Sequence, residues 1–146
     1  MDNATLPLMS RIGTIFLTWR RHLQRGYARY GITLKQIHLL GQLRHREFLY
    51  PADIAEMLFC DRPTATVIIR NMIRKGWVRK DGDPQNRKRW RVQITAAGRR
   101  KEQAVHSSRT NPERLFDPEE CFSKRERDQV GRLLMKLHRH VTALSD

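Results

Sequence analysis

Between Asp61 and Lys101 the chain gathers side chains suited to one chemistry, hydrogen bonding and charge pairing with a polyanion. Arg62, Pro63, Thr64, Thr66, Val67, Arg70, Asn71 and Arg74 recur at the steps that share one broad helix face. They offer donors, two small hydroxyls and one apolar group able to meet a thymine methyl, a set fitted to base edges in a DNA major groove. The helix start would also present free N–H groups to a phosphate. Further on, Arg87, Lys88 and Arg89 form a basic run placed to enter the adjacent minor groove, whose negative potential attracts Arg and Lys.

The charge balance points the same way. The 146 residues carry 29 Lys and Arg against 15 Asp and Glu, a formal +14. Residues 61–101 alone hold 13 Lys and Arg against three Asp, so +10 of that excess lies there. Nucleic acid is the first expected partner and an anionic membrane surface the second. At 39% hydrophobic the sequence is not a disordered basic tail. It also lacks the ~18-residue apolar run of a membrane span. Met1-Asp2-Asn3-Ala4-Thr5 shows no secretory leader. Cys60 and Cys121 form no disulfide framework, which agrees with a reducing cytoplasm.

These side chains need elements to position them. Leu8, Ile12, Ile15, Phe16, Trp19, Leu23, Tyr27 and Tyr30 predict an amphipathic helix over 8–30, stopped by Gly31. Thr33 and Gln36 make a capping box for a second helix with Leu34, Ile37, Leu40 and Leu43 inward. Pro51 opens a short third helix that buries Ile54, Ala55 and Leu58. A tight Phe59-Cys60 connection leads to Asp61, the N-cap of a fourth helix with Ala65, Ile68, Ile69, Met72 and Ile73 inward. A hairpin follows, with strands over 77–80 and 89–94 and a loop over 81–88. Trp90, Val92 and Ile94 alternate with Arg89, Arg91 and Gln93. Thr95 caps a fifth helix to about Ser108, residues 109–122 form a loop with short turns, and Ser123 with Glu126 opens a last helix. Its apolar face is Val130, Leu133, Leu134, Leu137, Val141 and Leu144.

Two helices joined by a tight turn and followed by a basic hairpin make a winged helix-turn-helix. Here residues 33–100 resemble the MarR (multiple-antibiotic-resistance regulator) family of bacterial transcription factors. The resemblance rests on Ala52-Asp53-Ile54-Ala55-Glu56-Met57-Leu58, Asp61-Arg62-Pro63-Thr64-Ala65-Thr66 and Ile73-Arg74-Lys75-Gly76-Trp77-Val78-Arg79-Lys80. It continues through Asp83-Pro84-Gln85-Asn86-Arg87-Lys88 and Val92-Gln93-Ile94-Thr95-Ala96-Ala97-Gly98-Arg99. Two positions depart from the family pattern. The family wing tip carries Asp-x-Arg where this chain has Asn86 and Lys88, so Arg87 or Arg89 takes the minor-groove role. Val67 stands where the family often has Arg.

The resemblance implies a homodimer built through the first, fifth and sixth helices, which would read a pseudo-palindrome with half-sites ~10 bp apart. The apolar stripes of the first and last helices, longer than a small winged-helix core requires, support it independently. It also implies a small aromatic or anionic effector in the crevice between the dimer helices and the winged domain, where Trp19 and Arg20 are candidate lining residues. Thr33 is expected chiefly as a cap, with a DNA-backbone contact as its second role. Cys60 reads as a buried small hydrophobe, and His138 and His140 diverge at i,i+2, so neither redox sensing nor a metal site is expected. No catalytic constellation or phosphate-cradling glycine loop is visible.

The expected fold is mainly α with a small β-hairpin wing: a winged helix-turn-helix over 33–100 flanked by dimerisation helices over 6–31 and 101–146, all in one continuous compact unit. The expected function is that of a cytoplasmic, non-enzymatic, sequence-specific double-stranded DNA-binding regulator, most simply a repressor, without cofactor. The alternative is a non-specific architectural DNA- or RNA-binding protein. A basic, metal-dependent nuclease is a third reading.

Overall fold

Capping starts the helices where the side chains dictate. The Gln36 N–H donates to Thr33 Oγ1 (3.2 Å) and the Thr33 N–H to Gln36 Oε1 (3.1 Å), which satisfies two otherwise orphaned donors. Ser123 and Glu126 form the same reciprocal pair (2.8 and 3.4 Å). The computed structural model describes residues 5–144; residues 1–4, on which the leader reading partly rests, and 145–146 lie outside them. The elements are α1 (Leu8–Ala28), α2 (Leu34–Arg44), α3 (Pro51–Met57), α4 (Arg62–Arg74), β1 (Val78–Asp83), β2 (Asn86–Ile94), α5 (Ala96–Ser107), α6 (Pro112–Leu115) and α7 (Lys124–Ala143). The chain divides into one unit ending at Leu115 and a second beginning at Phe116.

In the first unit α2 is the central helix, touched by α1, α4, α5 and β2. Enclosure on several sides rotates its buried face away from the expected one. Leu39, Leu40 and Leu43 are fully buried and Gln36 is 5% exposed, whereas Leu34 and Ile37 are only partly buried. The rest of the core comes from Leu23 and Tyr27 of α1, Ile54, Ala55 and Leu58 around α3, Ala65, Ile69 and Met72 of α4, and Val78, Val92 and Val105. On α4 this buried stripe follows i, i+4, i+7 and is narrower than expected, since Ile73 is exposed. Between α3 and α4 the chain turns at Phe59, whose φ of +50° lies in the left-handed region and whose side chain is 95% exposed.

The hairpin differs from expectation. The strands extend to Asp83 and from Asn86, leaving only Pro84 and Gln85 between them. The pairing passes from Gly82↔Trp90 to Asp83↔Asn86, so Arg87, Lys88 and Arg89 bulge out of the ladder unpaired. Leu49 pairs with Val92 as a short third arm, Leu49 N–H to Val92 O at 3.0 Å and Val92 N–H to Leu49 O at 2.8 Å.

One carboxylate ties this wing to the segment before α3. Asp83, 6% exposed, accepts the Tyr50 hydroxyl (2.8 Å), the Gln85 N–H (3.0 Å) and Arg91 Nη2 (2.8 Å). The Gln85 N–H holds its carboxyl below the usual range, and Tyr50 and Arg91 assist against a burial cost. Arg91 also lies 4.0 Å over the Phe48 ring, and Phe48 meets Tyr50 edge-on at 5.3 Å. Arg91 therefore belongs to the interior of the wing and not to its solvated face; its Nε has no acceptor among the described residues.

After β2, the Thr95 hydroxyl accepts the Gly98 N–H (3.0 Å) to start α5. A Cβ at Gly98 would press into the Trp77 carbonyl and lie 2.9 Å from Ile94 Cγ1, so only glycine fits where α5 crosses the strand entry. Within residues 109–122, α6 supplies buried Pro112, seated against Gly26 of α1. In the second unit no α7 side chain is buried, and Leu133, Leu134, Met135, Val141 and Leu144 are exposed.

Gly98→Ala should therefore lower stability by about 2 kcal/mol despite alanine's higher helix propensity. Gly41→Ala in α2, where a Cβ meets nothing within 4 Å, should raise it by up to about 1 kcal/mol. Urea unfolding of the pair checks both signs. The depressed Asp83 pKa means that its ion-pair stabilisation is present above the ordinary carboxylate pKa and is lost as pH falls through the lower folded value. Asp83→Asn should thus lower Tm at pH 7, and its gap from the unmutated chain should shrink below about pH 4; melting curves at both pH values test this.

Candidate nucleic-acid interface

Helix α4 owes its start to Asp61, whose Oδ1 accepts the Thr64 N–H at 2.7 Å. Hydrogen bonds from Thr64 hold that carboxyl below its usual range, so the cap is charged at neutral pH. This changes the expectation for the helix start. Pro63 has no N–H, the Thr64 N–H is taken, and the Ala65 N–H donates to Asp61 O (3.0 Å). Only the Arg62 N–H lacks a partner among the described residues, and a carboxylate already occupies the turn.

With Ala65, Ile69 and Met72 anchoring one side, the opposite side of α4 faces outward. Arg62, Pro63, Thr64, Val67, Arg70 and Arg74 are exposed; Thr66 and Asn71 are half-buried. Part of this set is internally committed. The Thr66 hydroxyl donates to Arg62 O (2.9 Å), leaving its lone pairs open. Arg74 Nη2 donates to Asn71 Oδ1 (2.5 Å), leaving the Asn71 amide N–H groups as its free donors. The guanidinium groups of Arg62 and Arg70 have no acceptor among the described residues.

The start of α3, the first turns of α4 and the wing enclose a cleft of about 270 Å³. Tyr50, Pro51 and Ala52 form one wall, Arg62 and Thr66 a second, and Lys88, Arg89 and Trp90 the third. The cleft thus joins Arg62 and Thr66 with Lys88 and Arg89 and brings three cations to one concavity. Arg87 lies outside it in the same bulge; Arg70, Asn71 and Arg74 continue along α4, and Thr33 is a cap away from the cleft. The Arg89 guanidinium sits 3.7 Å over the Tyr50 ring, and Lys80 Nζ 4.4 Å over Trp90. Tyr50 is the residue that sequence reasoning missed. The signal was there, in aromatics at 48 and 50 matching arginines at 89 and 91 with the same period of two.

Not every cation between 61 and 101 can meet a partner. Arg79 pairs with Asp81 (3.1 Å) and Arg91 with Asp83 (2.8 Å). Lys75 donates to Gly31 O (2.9 Å) and Lys101 to Tyr30 O, with both ammonium groups near the Trp77 ring at 4.5 and 5.4 Å. Arg99 donates to Arg44 O (3.2 Å). The uncommitted charge is accordingly concentrated on α4 and the wing.

Cys60 is half-buried and Cys121 exposed, both free thiols. Among the described residues no group of three His, Cys, Asp or Glu could hold a metal ion, and no helix is long and apolar enough to cross a membrane. Trp19 and Arg20 are half-buried on α1, where Arg20 lies 5.9 Å from the Phe16 ring.

Residues 32–89 match the MarR family model. No curated protein sequence matches the chain. Among solved structures, a putative MarR-like transcription regulator from Bacillus cereus is 22% identical, with a TM-score of 0.80 over 91% of this chain and 94% of that one. MepR of S. aureus, solved as a DNA complex, is 23% identical with a TM-score of 0.78 over 92% and 98%. Bordetella bronchiseptica BpsR, solved to explain regulation of its DNA binding by 6-hydroxynicotinic acid, is 17% identical with a TM-score of 0.77 over 90% and 93%. The match over residues 32–89 and the shared fold make this winged helix-turn-helix similar to those of the MarR family.

Proposed function

We propose that the chain is a double-stranded DNA-binding transcription regulator, most simply a repressor, that acts as a homodimer on a pseudo-palindromic site. The observation that carries this is the open outer face of α4 beside a three-cation cleft closed by the wing. A major groove about 12 Å wide admits one helix. Phosphate contacts by the cleft and wing cations would set register and affinity, while Arg62, Thr66, Arg70 and Asn71 would read bases. Likeness to MepR, solved as a DNA complex, supports DNA as the partner.

The dimer is supported by apolar side chains that each unit leaves exposed, Leu8, Met9, Ile15, Phe16 and Leu17 on α1 and the α7 set above. A two-fold pair would present two recognition helices about one DNA turn apart. Likeness to BpsR, whose DNA binding is regulated by 6-hydroxynicotinic acid, supports a small aromatic or anionic effector; such an effector would act by population shift between competent and incompetent dimers. Thr33 keeps a hydroxyl hydrogen to donate to a backbone phosphate beside its capping role.

Binding to an operator selected from a random duplex pool should exceed binding to scrambled duplex by ~10³ or more at fixed salt; a ratio near one would favour the architectural reading. Arg70→Ala should cost about 1–3 kcal/mol on the selected site and relax preference there. Lys88→Ala should weaken both duplexes alike and reduce the salt slope by about 1. Leu134→Asp should shift the sedimenting species from dimer to monomer if α7 closes the dimer.

A further inference from the structure

The three bulged cations are not equivalent. The Arg87 guanidinium and the Lys88 ammonium have no partner among the described residues, whereas the Arg89 guanidinium is laid on the Tyr50 ring at 3.7 Å. Tyr50 is itself held twice, by its hydroxyl on the buried Asp83 carboxylate (2.8 Å) and by the Phe48 edge (5.3 Å). The ring therefore has a fixed pose, and it forms a wall of the cleft that also holds Arg62 and Thr66. A guanidinium with one face against a ring keeps its in-plane N–H donors free, the geometry suited to phosphate oxygens.

We propose that Tyr50 is a positioning residue for DNA binding: it holds Arg89 in the cleft opposite Arg62 to clamp a backbone phosphate, which leaves Arg87 as the wing-tip cation for the minor groove. The inference rests on the DNA-binding reading above and settles a choice between Arg87 and Arg89 that the sequence leaves open. A flexible arginine loses side-chain entropy on binding; a stacked one has already lost part of it. The contribution is accordingly independent of base sequence.

The test is a double-mutant cycle on duplex binding across a salt series, with melting curves for every variant. Arg89→Ala should lower the salt slope by about 0.9, the loss of one phosphate contact. Tyr50→Leu should weaken binding about two- to fivefold, equally on selected and scrambled duplex, and should add nothing in the Arg89→Ala background. Tyr50→Phe, which keeps the ring and the Phe48 contact, should retain the unmutated slope. Arg87→Ala should combine additively with Tyr50→Leu. Full additivity of Tyr50→Leu with Arg89→Ala in folded variants would overturn the proposal, as would a loss confined to the selected sequence. If the unmutated chain binds no duplex at all, the regulator reading itself fails; binding with an additive cycle sinks the positioning role alone.

Discussion

A buried carboxylate is costly to place and is kept only where donors surround it. Asp83 has three, from a backbone amide, a phenol and a guanidinium, and each belongs to a different part of the winged helix. Gln85 fixes the turn, Arg91 fixes β2, and Tyr50 fixes the segment leading into α3. The wing projects from a two-stranded sheet, which has little stability of its own. Its pose relative to α4 therefore depends on this junction, on the Leu49↔Val92 bridge and on Val92 in the core. Arg91 illustrates the division of labour: a cation counted in the basic excess is spent on internal architecture.

The basic excess between residues 61 and 101 is thus a mixture. Ion pairs, carbonyl contacts and ring contacts absorb Lys75, Arg79, Lys80, Arg91, Arg99 and Lys101. What remains lies mostly on the outer arc of α4 and on the bulge. Electrostatic attraction to a polyanion acts through all of these charges at long range, but short-range contacts need side chains that can leave their present partners cheaply.

Much of this arrangement was legible in the sequence because it is local. Thr33 with Gln36, Asp61, Thr95 and Ser123 with Glu126 announce helix starts through hydrogen bonds spanning three residues, and the structure has all four. The order of helices and hairpin follows from those caps and from periodicity. What escaped is non-local. The burial of Leu39 in preference to Leu34 depends on helices packed around α2 from distant parts of the chain. Strand ends at Asp83 and Asn86 depend on a carboxylate bonded to Tyr50, 33 residues away. Loop-forming residue types at 81–88 point to a long turn, yet the strands leave only Pro84 and Gln85 between them, with Asp83 tied to Tyr50 and Arg91. The same limit applies within the cleft, where the matching periods at 48/50 and 89/91 gain meaning only once β2 lies beside Tyr50.

The register shift between Gly82 and Asp83 has a consequence for divergence. Residues 87–89 face no partner across the ladder, so an insertion or deletion among them leaves Trp90, Arg91 and Val92 in register with Gly82, Asp81 and Lys80. Below the bulge the opposite holds: one added residue would turn Val92 out of the core. The tip can therefore change length and composition while its foundation stays fixed.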